Sequence, residues 1–151
     1  MNGRPKQIRR VLTPNDTGET GGHQAGILVP KAGDVLKFFP DLGNATKNPR
    51  TQLIFEDEDG TEWEWTFIYY NNKFFDEHGT RNEYRLTGMT KYIRSHALKS
   101  GDTIILTHEK PGLDTVKCIH AESAQLTEYT DDQGRKKEKL VVKLDWTVTK
   151  Y

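Results

Sequence analysis

Short runs rich in β-branched and aromatic residues recur along the chain, and most of them are bounded by Gly, Pro, Asn or Asp. The runs cover residues 8–13, 25–29, 52–57, 62–70, 83–87, 103–109, 115–120, 125–130 and 139–149. Short strands at this spacing are typical of barrels and sandwiches. Asp59-Gly60 and residues 131–134 are typical of hairpin turns. We therefore predict a mainly β fold with antiparallel neighbouring strands.

Two stretches, residues 30–39 and 87–94, break the strand pattern and predict short α-helices. In the first, Asp34 is placed to support the first turn and Pro40 ends the segment. The second has apolar residues at the three-and-four spacing of a core-facing helix. The apolar residues of the two segments are Val35, Leu36, Phe38, Phe39, Met89, Tyr92 and Ile93. We expect both helices to cover the open ends of a barrel.

The length and composition indicate one globular domain, which we expect to span residues 1–151. Hydrophobic residues make up only 34% of the chain, but a 10% share of aromatic residues argues against disorder. Cys118 is the only cysteine, which excludes an internal disulfide and favours a reducing compartment. No window approaches the roughly 18 apolar residues that a membrane span requires. We expect a cytoplasmic protein of a bacterium or phage, with no membrane partner.

The formal net charge is zero, which at first argues against nucleic acid as a partner. Residues 56–64 contain six of the 22 acidic residues and no basic residue. In the rest of the chain, basic residues therefore outnumber acidic ones by six. One acidic edge and a basic remainder are compatible with a surface that faces DNA.

A polar, glycine-rich segment at residues 15–30 connects two predicted strands. Long ordered loops in compact domains usually have a function. Glycines allow a close approach to a phosphate or groove, and polar side chains can contact phosphates or base edges. The polar residues suited to these contacts are Asp16, Thr17, Thr20, His23 and Gln24. A solvent-exposed loop without a function stays open as the alternative.

A second polar loop, residues 71–85, leads into a predicted strand. Its end, Arg81-Asn82-Glu83-Tyr84-Arg85, contains residue types that read guanine, adenine and cytosine edges. A patch that only binds phosphate would not contain Glu83. The alternative is that Arg81, Glu83 and Arg85 form an exposed cross-strand charge ladder of little energetic value.

These two loops also carry a resemblance to a known family. The run NDTGETGGHQAGILVP at residues 15–30 resembles the signature of the N-terminal effector domain of EcoRII-type restriction endonucleases. TRNEYRLT at residues 80–87 resembles the second DNA-contacting arm of that domain. Residues 65–69, 84–93 and 98–104 are similar to the plant transcription-factor DNA-binding pseudobarrel, whose fold restriction effector domains share.

The resemblance implies a seven-stranded open pseudobarrel with two short α-helices that grips the major groove with two arms. We call residues 16–24 the first arm and residues 79–85 the second arm. By residue, the resemblance assigns Asp16, Thr17, His23 and Gln24 to the first arm and Arg81, Asn82, Glu83 and Arg85 to the second, and it includes the pair Arg9-Arg10 before the first arm. The full set of residues that we predict to bind DNA adds Gly18, Thr20, Lys73, Thr80 and Tyr84. The sequence departs from the family pattern at Leu28, Gly79 and Tyr84. Since the relatives read a CC(A/T)GG-type site, we expect a closely related site here.

The common patterns of enzyme sites are missing from the sequence. The commonest restriction nucleases use a Pro-Asp pair and an acidic residue two positions before a Lys to hold Mg²⁺. None of the 22 acidic residues stands two before a Lys, and Pro40-Asp41 is typical of a turn. Zinc-finger spacing and a phosphate-binding loop that ends in Lys are also missing. We expect a non-catalytic chain without a cofactor, where Mg²⁺ serves only a separate catalytic domain.

Three hypotheses follow from these patterns. The first is an effector domain of a type IIE-like restriction endonuclease, whose partners are double-stranded DNA with a short (pseudo)palindromic site and a covalently linked nuclease domain. The second is a stand-alone protein-interaction or small-ligand barrel with a pocket of Trp63, Trp65, Tyr69 and Tyr70. Core packing explains this aromatic strand better, because Trp65, Phe67 and Tyr69 share one face. The third is a complete small nuclease with unfamiliar ligands.

Overall fold

Strands make up most of the chain in the computed structural model, which describes residues 4–19, 25–121, 126–130, 136–140 and 146–150. The strands are β1 (Pro5–Val11), β2 (Gly26–Val29), β3 (Arg50–Glu56), β4 (Glu62–Tyr70), β5 (Glu83–Thr87), β6 (Thr103–Lys110), β7 (Leu113–Ile119), β8 (Leu126–Thr130), β9 (Lys136–Leu140) and β10 (Trp146–Lys150). The helices are α1 (Pro14–Thr17) and α2 (Thr90–Ser95), and 3₁₀ turns lie at Val35–Phe38 and Asn72–Phe74. None of the helices in these ranges has the length and apolar character needed to span a membrane.

One curved sheet contains eight strands in the order β10-β1-β6-β7-β3-β4-β5-β2. Its neighbours pair antiparallel except β3 and β7, which are parallel. The prediction of seven strands is correct for β1 to β7, and β10 adds an eighth on the outer side of β1. The single run predicted at residues 139–149 is wrong, because β9 and β10 are separate strands in different sheets. The turn predicted at residues 131–134 lies outside the described residues.

Side-chain alternation along β4 builds the centre of the core. Trp65, Phe67 and Tyr69 point to the same side of the strand and are all buried, as the sequence predicts. Phe67 stacks on Phe39 with ring centroids 4.6 Å apart. Trp65 belongs to the core and Tyr70 lies on the opposite face of β4, so the four aromatic side chains do not form the ligand pocket of the second hypothesis.

The helix predicted at residues 87–94 is confirmed as α2, with Met89, Tyr92 and Ile93 buried against the core. The helix predicted at residues 30–39 is wrong, because only the 3₁₀ turn Val35–Phe38 forms there. Asp34 makes no capping hydrogen bond, and its carboxylate instead pairs with two lysines, Lys37 and Lys150. Without a cap, and with Pro40 close behind, the segment does not continue into an α-helix.

His108 joins the β6–β7 hairpin to the 3₁₀ turn. Its Nδ1 lies 2.7 Å from Asp114 Oδ1, and its Nε2 lies 2.9 Å from the carbonyl oxygen of Phe38. Both neighbours are acceptors, so both ring nitrogens act as donors only in the imidazolium form. Burial lowers the pKa of His108, but the hydrogen bonds to Asp114 and Phe38 outweigh it and hold the pKa above its ordinary 6.5.

The stabilisation that His108 provides is expected to depend on pH. A raised pKa in the folded state means that the stabilisation is complete below pH 6.5 and is lost as the pH rises through the higher folded value. In urea unfolding across this range, His108→Gln should be less stable than the wild type by about 1 kcal/mol at low pH. The difference should shrink at alkaline pH. The exposed His78→Gln serves as control, and a difference that grows with pH would contradict the assignment.

Candidate nucleic-acid interface

The two predicted loops converge on one open cleft of about 600 Å³. Its walls are Asn15, Ala25, Gly26, Tyr70, Arg81, Glu83, Arg85 and Thr87. The pairing of β2 with β5 produces this arrangement, because Gly26 lies opposite Thr87 and Leu28 opposite Arg85. Residues on either side of the first arm therefore line the same cleft as the second arm.

The described part of the first arm, residues 16–19, is shaped by the single turn of α1. Thr13 is the N-cap, and its hydroxyl accepts a hydrogen bond from the Asp16 amide. Pro14 occupies the first turn, and its carbonyl oxygen accepts hydrogen bonds from the Thr17 hydroxyl and the Gly18 amide. Gly18 adopts φ 81°, a left-handed conformation that favours glycine. The predicted residues Thr20, His23 and Gln24 lie outside the described residues.

Asp16 is 2% exposed and is committed to the protein itself. Its Oδ2 accepts hydrogen bonds from the Thr13 amide at 3.0 Å and from Arg10 Nε at 2.8 Å. The first bond completes a capping box with Thr13, and the second neutralises a largely buried guanidinium. These contacts give Asp16 a structural role within the first arm. Base reading by Asp16 stays a prediction.

Backbone contacts hold the loop between β4 and the second arm in shape. The side-chain oxygen of Asn72 accepts from the Arg81 amide at 2.8 Å, and the Lys73 amide donates to the Arg81 carbonyl. Gly79 lies so close to Asn72 that a Cβ there would overlap the Asn72 carbonyl group. This close approach explains the glycine at a position where the family pattern differs. Lys73 and Thr80, both predicted to contact DNA, are exposed on this loop.

Arg81, Glu83 and Arg85 alternate along one face and line the cleft together. Glu83 accepts from Arg81 Nε at 3.2 Å and from Arg85 Nη1 at 3.0 Å. The Arg81 guanidinium carbon also lies 3.7 Å from the ring centroid of Tyr70. The ion pairs therefore run along one strand end, not across strands as the charge-ladder alternative supposed. They hold two guanidinium groups at the cleft wall.

Glu83 stays ionised in this setting. Burial raises the pKa of its carboxyl group, but the hydrogen bonds from Arg85 and Arg81 outweigh that effect and leave the pKa below its ordinary value. The cleft thus combines one carboxylate acceptor with two cationic donor groups, a mixed set suited to several different base edges.

Asn82 and Tyr84 face away from this triplet, as alternation along a strand requires. The Asn82 side-chain oxygen accepts from the Tyr69 hydroxyl at 2.7 Å. Tyr84 stacks on Tyr69 at 4.1 Å, and burial raises the pKa of its hydroxyl. Tyr84 also lines a separate cleft with Lys31. The structure therefore does not bring Asn82 and Tyr84 together with Arg81, Glu83 and Arg85.

The two β1 arginines also point in opposite directions. Arg9 is exposed, and its Nε donates to Gln7. Arg10 contacts Asp16 beneath the first arm and does not line the cleft. The sequence-based prediction missed Asn15 and Tyr70 as cleft residues. Side-chain alternation along β4 gives the face on which Tyr70 lies, but it does not predict the position of Arg81 beyond the intervening loop. Their contact is therefore seen only in the folded chain.

Most of the chain is similar in sequence to known proteins. Residues 6–121 match the family model described as restriction endonuclease EcoRII, N-terminal. The type II restriction enzyme EcoRII of Escherichia coli is 38% identical over 91 residues, which cover 58% of this chain and 22% of that enzyme. A putative B3 domain-containing protein of Oryza sativa subsp. japonica is 29% identical over 110 residues, 72% of this chain and 32% of that protein. The chain thus spans about a third or less of either relative.

A solved structure agrees with the fold. The Arabidopsis FUS3–DNA complex matches with a TM-score of 0.57 over 75% of this chain and 95% of that chain. At 18% sequence identity, the likeness concerns the fold alone. It confirms the predicted open pseudobarrel. Among the residues that the structure describes, no three His, Cys, Asp or Glu side chains are grouped to hold a metal ion.

Removal of the Asp16 carboxylate should destabilise the protein. Asp16→Ala leaves the Arg10 guanidinium without its ion partner in a site where the Arg10 side chain is only 11% exposed. We expect a loss of about 3 kcal/mol in the free energy of unfolding by urea at neutral pH. The exposed neighbour Asn15→Ala should change it by less than about 0.5 kcal/mol. Equal stability of the two variants would refute the structural role of Asp16.

Proposed function

Because the chain belongs to the family of restriction endonuclease EcoRII N-terminal domains, we propose that it binds double-stranded DNA sequence-specifically and performs no catalysis itself. The observation that carries this proposal is the open cleft that residues on either side of the first arm share with Arg81, Glu83 and Arg85. Residues from two distant parts of the sequence meet there with donors and an acceptor on one surface. Such a surface is suited to the edges of several successive base pairs.

The ion pairs in the cleft favour base reading over simple phosphate binding. A guanidinium that is already oriented loses little side-chain freedom when it meets the two acceptors of a guanine. Glu83 repels phosphates, and it can accept from a cytosine amino group. The two residues that pair with Glu83 are both arginines, the residue type that most often reads guanine. We propose that Arg81 and Arg85 read guanines and that Glu83 reads a cytosine of the opposite strand or a neighbouring pair.

The proposed target is a CC(A/T)GG-type site. Its guanines suit the two arginines of the cleft, and its cytosines suit Glu83. The proposed role is that of an effector or recognition domain of a type IIE-like restriction endonuclease. The much greater length of the Escherichia coli relative supports this role, because the chain aligns with 22% of it. On this proposal, Mg²⁺-dependent cleavage belongs to a separate catalytic domain, and Lys73, Thr80 and Arg9 are available for backbone phosphates.

A band-shift titration tests the proposal. One duplex carries CC(A/T)GG, a set of duplexes differs from it by single base pairs, and one is unrelated. We expect binding to the CC(A/T)GG duplex in the nanomolar to tens-of-nanomolar range, a loss of about 1–3 kcal/mol per changed base pair, and a steep fall with salt. The same mixtures with Mg²⁺ should show no nicking. Equal retention of every duplex would contradict sequence-specific binding.

Two variants of the ion-paired triplet should act in opposite directions. Arg85→Ala should weaken cognate binding by about 1–3 kcal/mol, the usual value of one guanine-reading arginine. Glu83→Gln removes a negative charge from the cleft, so it should strengthen binding to the unrelated duplex and reduce discrimination. Arg94→Ala, an exposed arginine outside the cleft, is the matched control for lost charge. If Arg85→Ala and Arg94→Ala weaken binding equally, Arg85 contributes only its charge and does not read a guanine.

A further inference from the structure

We propose that Trp146 is a positioning residue for the first arm, which it holds through Arg10 and Asp16. This inference rests on the proposed function, because it assigns the C-terminal strand a part in DNA recognition. It goes beyond the family likeness, which covers residues 6–121 and ends before β10.

The register of β10 places Trp146 directly opposite Arg10 of β1. The Arg10 guanidinium carbon lies 5.1 Å from the centroid of the Trp146 ring, within the range of a cation–π contact. Trp146 also packs against the core beside Ile8 and Ile27, next to the Arg10 side chain. The indole therefore covers a cation at the boundary between the core and the first arm.

Arg10 transmits this contact to the first arm through one short ion pair. Its side chain is 11% exposed, and its Nε donates to Asp16 Oδ2 at 2.8 Å. A guanidinium so far from water depends on the groups that surround it, here a carboxylate and an aromatic face. Without the indole, water would reach the Arg10 guanidinium and the Arg10 side chain could adopt other rotamers. Its ion pair with Asp16 would therefore weaken.

Asp16 in turn fixes the backbone that enters the cleft. It is the third residue of α1 and completes the capping box with Thr13. Asn15 belongs to the same turn and lines the cleft with Arg81 and Arg85. The contacts from Trp146 to Arg10 and from Arg10 to Asp16 thus connect β10 to the turn that contains the cleft residue Asn15.

Val148 offers a matched control on the same strand. It lies opposite Ile8 and packs against the core, on the same side of β10 as Trp146. Val148→Ala weakens the packing of β10 without changing the contact with Arg10. A purely stabilising role of β10 predicts equal effects of substitutions at the two positions, whereas a positioning role predicts that only Trp146 affects the first arm.

The test compares Trp146→Leu, Trp146→Phe and Val148→Ala in two measurements. The first is amide hydrogen exchange without DNA at Thr17 and Glu19, whose amides donate to Thr13 and Pro14. We expect Trp146→Leu to accelerate this exchange about 3- to 30-fold relative to the amides of β7, the range that a cation–π contact of this kind supplies. Val148→Ala should leave that ratio unchanged. Trp146→Phe, which keeps a ring over Arg10, should restore most of the protection.

The second measurement is the ratio of affinities for the CC(A/T)GG duplex and an unrelated duplex. Trp146→Leu should lower this ratio by a similar factor, while Val148→Ala should not. Should Trp146→Leu not fold, Trp146→Met replaces it, because its flexible side chain fills the gap without an aromatic face.

The outcomes separate the two proposals. Unchanged exchange at Thr17 and Glu19 in the Trp146 variants, or the same change in Val148→Ala, would overturn the positioning role. Faster exchange only in Trp146→Leu supports it even if the wild type fails to discriminate between duplexes. In that case the proposed function fails, and the contact from Trp146 to the first arm stands.

Discussion

The pairing of β2 with β5 is the contact on which the candidate interface depends. Gly26 lies opposite Thr87, and a Cβ on Gly26 would come within 2.8 Å of the Leu86 carbonyl oxygen. Since two strands cannot approach so closely with a larger residue at this position, the sequence requires glycine. β2 begins just after the first arm, and β5 contains the end of the second. One strand pairing therefore brings together two loops that are far apart in the sequence.

Two carboxylates contact arginines near this pairing, and their different burial gives them different roles. Asp16 is 2% exposed and binds the backbone of its own turn as well as Arg10. Loss of one partner from such a pair leaves an unsatisfied charge, so the contact fixes the fold. The Glu83 side chain is 30% exposed and borders an open cleft. These pairs are only partly buried, so Glu83 and its two arginines exchange partners with a ligand more readily than Asp16 and Arg10 do.

The sequence predicts the strands well because alternation is a local property, as the buried face of β4 with Trp65 and Phe67 illustrates. Residue type and the family resemblance both suggest base reading by Asp16, whereas Thr13, Pro14 and Asp16 have the spacing of a capping box with proline in the first turn. That local signal predicts a structural aspartate. Alternation likewise separates Tyr84 from its neighbours in the second arm. The contact of Asp16 with Arg10 could not be predicted, because it depends on how the chain turns from β1 into α1.

The neutral net charge gives little information about the interface, since distance separates the charges that cancel. The acidic residues of segment 56–64 lie around the turn between β3 and β4, near Glu62. There the Asp57 carboxylate accepts hydrogen bonds from turn amides and from the Trp63 indole. The hydrogen bond from Trp63 leads the effects that hold the pKa of Asp57 below its ordinary value. Tyr70, at the other end of β4, borders the cleft. Eight residue steps of strand separate the two ends by about 26 Å. Salt largely screens exposed charges beyond about 10 Å, so these acidic residues contribute little at the cleft, whose described walls carry two arginines and one glutamate.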